Sequence, residues 1–203
     1  MSSPSESQII DAHEEFWRWV FREKDGDNHP LKISDGKTAQ IQRDSILILA
    51  GSLPDDKPRN RTLQKVQDVK YIFVPGENCV YTKADKDGNN NKDLVDRANN
   101  DMKNSQAKVK LNDVEQDIHH LLGHTFSLDI QHCIAGAGNS GKGEGESCTK
   151  GSAPRNTEAA AACDYAIILA NDLKSGNTIK IEGIGRAGPN KTPREINVTY
   201  TVQ

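Results

Sequence analysis

Hydrophobic residues keep a helical period only at the start of the chain. Ile9, Ile10, His13, Phe16, Trp17, Val20 and Phe21 fall on one stripe about 140° wide, which predicts an amphipathic helix with a buried face. Ser5 and Gln8, three residues apart, offer a capping box at its start, and Asp25-Gly26 supplies the stop. Trp17 lies within the stripe and is expected in the core. Trp19 lies off it, so it either covers a neighbouring segment or is exposed.

Beyond a polar turn the pattern changes to short apolar runs and alternation. Residues 45–51 and 69–74 are continuous apolar runs of the kind found in buried strands, the second closed by Pro75-Gly76. The charged stretch 54–61 between them reads as a solvated loop. A second helix is expected over 89–105, with Leu94, Val95, Ala98 and Met102 on one side, followed by a short strand over 108–111. Val114, Ile118, Leu121 and Leu122 fit one or two helical turns stopped by Gly123. From His124 the period is two: His124, Phe126, Leu128, Ile130 and His132 share one face, and Thr125, Ser127, Asp129 and Gln131 the other. Further strands are expected over 165–170, 178–182 and 195–203, and 136–152 reads as a glycine-rich surface loop. Strands do not alternate with helices, so the pattern points away from a Rossmann-like sheet.

The sum is one α+β domain over 1–203, predominantly antiparallel β in a sandwich-like arrangement. It carries an N-terminal amphipathic helix, one further short helix and a flexible tail over 1–5.

Composition narrows the function classes. Of 203 residues only 34% are hydrophobic and 5% aromatic, with a mean hydropathy of -0.72. No apolar run approaches the ~20 residues of a membrane-spanning helix. A net charge of -3 lacks the excess of Lys and Arg that contacts nucleic-acid phosphates. The first residues, Met1 to Glu6, have neither a basic nor an apolar signal region. That leaves a cytosolic protein or a mature exported one whose signal peptide has been removed, and the even count of four cysteines favours export. Four cysteines allow three pairings, with four free thiols as the alternative. Cys133 with Cys148 is favoured because it would staple the glycine-rich excursion, which leaves Cys79 with Cys163.

Four of the six histidines, His119, His120, His124 and His132, crowd into one short segment, which raises zinc or copper binding. His124 and His132 on one extended strand would stand roughly 26 Å apart, too far to share an ion. His120 and His124 have the i, i+4 spacing of a helical pair, and a third ligand could come from His13, Asp113 or Glu115. Asp85, Asp87 and Asn89, with Asp93 nearby, suggest an irregular calcium loop, although the EF-hand pattern fails at its first and last ligand positions. The segment 136–143 approaches a phosphate loop, but Gly143 replaces the magnesium-binding hydroxyl and Glu144 and Glu146 repel phosphate. No G-x-S-x-G elbow is present. No cofactor is certain on these grounds; zinc and calcium are the candidates.

The order of several short motifs adds a resemblance. Trp17-Arg18-Trp19, Asn28-His29-Pro30-Leu31 with Asp35-Gly36, and Leu49-Ala50-Gly51-Ser52 come first. Ile72-Phe73-Val74-Pro75, Asp164-Tyr165, Leu173-Lys174-Ser175-Gly176 and the closing Val198 to Val202 follow. In this order, spread over most of the chain, they resemble an uncharacterised, mostly secreted bacterial and archaeal family. The resemblance implies a β-sandwich-like domain with an N-terminal helix, in the extracellular space or cell envelope. It carries no catalytic residues over. The glycine-rich and histidine-rich segments depart from the family pattern. The resulting expectation is a binding or structural domain with a cell-surface ligand. The alternative is a metal-dependent or Ser/His-type hydrolase built on residues 119–132.

Overall fold

The computed structural model describes residues 3–24, 28–33, 36–52, 57–83, 90–103, 105–132, 155–185 and 194–203. Among these residues ten strands form two five-stranded sheets, accompanied by two α-helices. No helix among the described residues is long and apolar enough to cross a membrane.

Helix α1 spans Glu6–Arg22, and Ser5 caps it as the spacing predicts: its side chain accepts from the Gln8 amide while the Gln8 side chain accepts from the Ser5 amide. Ser5 therefore belongs to the fold rather than to a tail. Trp17 and Trp19 are both buried, so the buried face is wider than the stripe.

The first sheet runs in the order β1 (Gln40–Arg43), β2 (Ile46–Leu49), β4 (Tyr71–Thr82), β8 (Arg155–Leu169), β7 (His119–Ile130). Helix α1 packs on one face of it, against β7, β1, β2 and β4. The opposite face is shared. Helix α2 (Asn91–Met102) covers one part through Leu94 and Ala98, which pack with Cys79, Tyr81, Ala160 and Ala162. Alanines at 159–162 are all buried, and their short side chains let a helix approach on each face. The second sheet covers the rest, in the order β3 (Arg59–Leu63), β10 (Arg194–Val202), β9 (Thr178–Gly185), β5 (Lys108–Leu111), β6 (Val114–Glu115).

Arg61 of β3 and Tyr200 of β10 tie the second sheet to the first. Arg61 is 1% exposed, and its Nη1 donates to the carbonyls of Ala50 and Gly51 just past β2. Its Nε donates to the Ile33 carbonyl, and Nη1 also reaches the Tyr200 hydroxyl. That hydroxyl lies 2.8 Å from the carbonyls of both Ala39 and Ala50. His29 is likewise structural: Nε2 donates to the Val20 carbonyl and Nδ1 accepts from the Leu31 amide, tying the turn after α1 to the helix.

The α+β sandwich-like architecture agrees with the sequence pattern, and several local expectations change; β4, for one, runs on through Pro75-Gly76, where the second apolar run was expected to close. Pairing is mostly antiparallel, but β2 with β4 and β3 with β10 run parallel. Part of the charged stretch over 54–61 is strand, because Arg59 and Arg61 point inward from β3. The expected helical turns after residue 113 are instead β6 and the start of β7. Asn112 and Asp113 both adopt positive φ and turn the chain back in a tight hairpin. Finally, Cys79 and Cys163 are free buried thiols, which overturns their proposed disulfide. On the paired strands Cys79 stands opposite Ala162 and Cys163 opposite Asn78. The Cys79 thiol therefore faces α2, within 3.5 Å of the Ala98 carbonyl, while Cys163 joins the core under α1. Cys133, Cys148 and the glycine-rich segment 136–152 lie outside the described residues.

Thiol titration of the denatured, unreduced chain checks this placement. Cys79 and Cys163 contribute two titratable thiols whatever Cys133 and Cys148 do, and a count below two contradicts it.

Candidate functional site

Among the described residues strand β7 pairs only with β8, so it forms an edge of the first sheet there. Its register against β8 shifts between Leu121 and His124. The shift inverts the strand's two faces. Leu121 is buried before it, and Phe126, Leu128 and Ile130 are buried after it. Side chains at 120 and 124, which regular extension would place on one face, therefore emerge on opposite faces.

His120 stands opposite Asp164 of β8, and its Nδ1 lies 2.5 Å from Asp164 Oδ1. The two are unequal in exposure: the His120 side chain is 70% exposed and that of Asp164 only 3%. A buried carboxylate accepting from Nδ1–H leaves Nε2 as the acceptor nitrogen of this mostly exposed ring. Glu77, in the irregular part of β4 between Pro75 and Asn78, lies near Asp164. Burial pushes the Glu77 carboxyl above its ordinary range, although hydrogen bonds from Ser105 and Gln106 oppose the shift. His119 packs against Tyr165, with ring centroids 5.4 Å apart, and Leu122 is 73% exposed.

His124 emerges beneath α1, where its ring centroid lies 5.1 Å from that of His13. His13 is fully buried, with Nε2 lying 2.8 Å from Asn78 Oδ1 and 3.1 Å from Trp17 Nε1. Burial, reinforced by the neighbouring His124, lowers the His13 pKa to about 3. Burial also lowers that of His124.

The structure thus separates the two histidines expected to share a metal. His120 joins Asp164, and His124 joins His13, one of the residues considered as a third ligand. Asp113 pairs instead with Lys180 and Glu115 with Lys108. Among the described residues no group of three or more His, Cys, Asp and Glu side chains is placed to hold a metal ion. Asp85, Asp87 and Asn89 of the calcium expectation lie outside the described residues, while Asp93 is engaged with Asn90 at the cap of α2. Asp164 and Glu77 escaped the reading of the sequence as site residues. The available signal was a single acid inside the otherwise apolar run from Ala159 to Ala170.

The histidine pair generates a pH prediction. Its pKa values are lower in the fold than in the unfolded chain, so its contribution to stability is intact above the unfolded value near 6.5 and is lost as the pH falls toward the folded values. Between pH 7 and pH 5 His13 alone accounts for a loss of about 2 kcal/mol, while Glu77, whose pKa is raised, works in the opposite sense. Urea titrations should give a steeper fall for wild type than for His13→Gln over this interval, and parallel curves would contradict the assignment.

No protein-family model, curated protein or solved structure matches this chain.

Proposed function

We propose that this chain is a binding domain of the extracellular space or cell envelope, and that it grips an extended peptide segment along the first half of β7. One observation carries the reading: an exposed imidazole, braced by a buried carboxylate, stands two residues from an exposed leucine on a sheet edge. A single exposed leucine is ordinary. Here Leu122 accompanies a side chain whose ordering cost Asp164 has already met, and preorganisation of that kind favours binding. The outer backbone groups of an edge strand supply hydrogen bonds for an added strand, the Gly123 amide excepted, since it already donates to Asn99 Oδ1 of α2. The bound segment would place an apolar side chain over Leu122 and a carboxylate or carbonyl at His120 Nε2. Location outside the cytoplasm rests on the family resemblance, with Cys133 and Cys148 as the pair left for a bridge.

The same dyad favours a second reading. An imidazole oriented by a buried carboxylate is placed to act as a general base, so a hydrolase that activates water at His120 Nε2 fits the geometry as well.

One pair of experiments separates the readings. Peptides selected from a displayed random library against the folded chain should perturb backbone NMR resonances along 119–124. Their affinity should fall at least tenfold in Leu122→Lys and in His120→Ala. Binders that map elsewhere, or the absence of any binder, overturn the peptide-binding reading. Turnover of a panel of chromogenic esters and amides, lost in both His120→Gln and Asp164→Asn, would replace it with the hydrolase.

A further inference from the structure

Unpaired edge strands invite a further strand, and folds ordinarily blunt them by shortness, charge, proline or a covering segment. Three of the four sheet edges follow that rule. β6 has two residues, and β1 has four and ends on Arg43. β3 is flanked by residues 36–38: the Thr62 amide donates to the Lys37 carbonyl and the Gly36 amide to the Asn60 carbonyl. β7 departs from the rule. Its 12 residues include no Lys, Arg or Pro, and among the described residues no strand pairs with its outer side.

The direction of its backbone groups follows from β8. The Lys83 amide donates to the Glu158 carbonyl, so Glu158 turns toward β4, and its neighbours Thr157 and Ala159 turn toward β7. By the same alternation, β7 residues paired with the odd-numbered side of β8 bond inward, while 120, 122, 125, 127 and 129 point outward.

This outward set is self-complementary about a two-fold axis through Thr125. Thr125 meets Thr125 of a second copy, Leu122 meets Ser127 with a threonine methyl diagonal to it, and His120 meets Asp129. The extra residue that shifts the register between Leu121 and His124 occurs once in each strand, so side chains on both halves keep matching faces. Gly123 takes that unpaired place; its amide is already held by Asn99, and the adjacent Leu122 carbonyl by His124 Nδ1. The joint therefore rests on the Thr125 and His120–Asp129 pairs. Charge selects the register. Asp129 is exposed and accepts from the Gln131 side chain, but pairs with no cation among the described residues. His120 receives Asp164 on the β8 side, and Asp129 of the second copy would meet it on the other. Moving the axis by one residue either way sets Ser127 or Gln131 opposite His120 instead.

We propose that the segment received along β7 is β7 of a second copy of this chain, antiparallel to the first, so that two five-stranded sheets join into one. This rests on the reading above that β7 accepts an added strand, and names the partner. Every contact then occurs twice, as closed two-fold association requires.

Sedimentation velocity of the full chain should show a species of twice 22.3 kDa. A mixture of 13C-labelled and unlabelled chains should give intermolecular contacts between the α-protons of His124 and Phe126, which face each other beside the axis. Thr125→Pro removes an outward amide at the axis, and Asp129→Arg sets a cation opposite His120. Each should raise the dissociation constant at least tenfold with the circular dichroism of wild type, and Asp129→Arg decides alone if Thr125→Pro unfolds. A chain that stays monomeric up to its solubility limit overturns the proposal, as does a dimer that the folded variants leave intact. Where such a monomer still binds selected peptides at 119–124, strand capture stands and the partner is wrong; where it binds none, both fall. Outward amides protected from exchange in a monomer assign the edge to another segment of the chain, and equally overturn the proposal.

Discussion

The two sheets depend on a buried cation that has no carboxylate partner among the described residues. Arg61 leaves water almost completely, and removing a charge from water costs several kcal/mol unless polar groups replace the solvent. Backbone carbonyls of Ile33, Ala50 and Gly51, with the Tyr200 hydroxyl, supply that replacement. The carbonyls of Ala50 and Gly51 follow β2 of the first layer and that of Ile33 lies in the turn segment after α1, while Arg61 and Tyr200 belong to the second layer. The guanidinium fork is what allows one side chain to reach several carbonyls at fixed angles, which the compact ammonium of lysine does not match. With β3 held in this way, β10 pairs parallel to it, β9 follows β10, and β5 with β6 completes the layer.

A second constraint shapes the candidate sites. The irregularity between Leu121 and His124 inverts β7 once along its length. His120 therefore meets Asp164 on the face shared by α2 and the second sheet, and His124 meets His13 on the face under α1. Two chemically distinct imidazole environments arise from one short segment. One is exposed and braced by an acid. The other is half-buried beneath α1, where burial lowers its pKa.

The legible parts of the chain were those governed by a single local rule. The helix stripe with its Ser5–Gln8 cap, and the alternation of Phe126, Leu128 and Ile130, survive intact because burial on one face dictates them. The start of β8 did not read as strand, since its four alanines lack the bulk and branching that mark strands. Their smallness makes sense only once α1 and α2 are seen to close on the two faces. Arg59 and Arg61 looked like part of a solvated loop because charge ordinarily faces water. Their burial depends on carbonyls distant in sequence. The His120–His124 pairing failed for a similar reason: an i, i+4 relation belongs to helices, whereas this segment is a strand with an inversion. Cys79 and Cys163 stand on adjacent strands yet face opposite sides, a relation that counting cysteines does not contain.

The central claim is that Arg61 and Tyr200 act as one unit joining the layers, and a double-mutant cycle on unfolding free energy tests it most directly. Arg61→Lys, Tyr200→Phe and the double variant are compared with wild type by urea denaturation. A coupling of at least about 1 kcal/mol between the two substitutions is the predicted result. Effects that add to within about 0.3–0.5 kcal/mol would contradict the account.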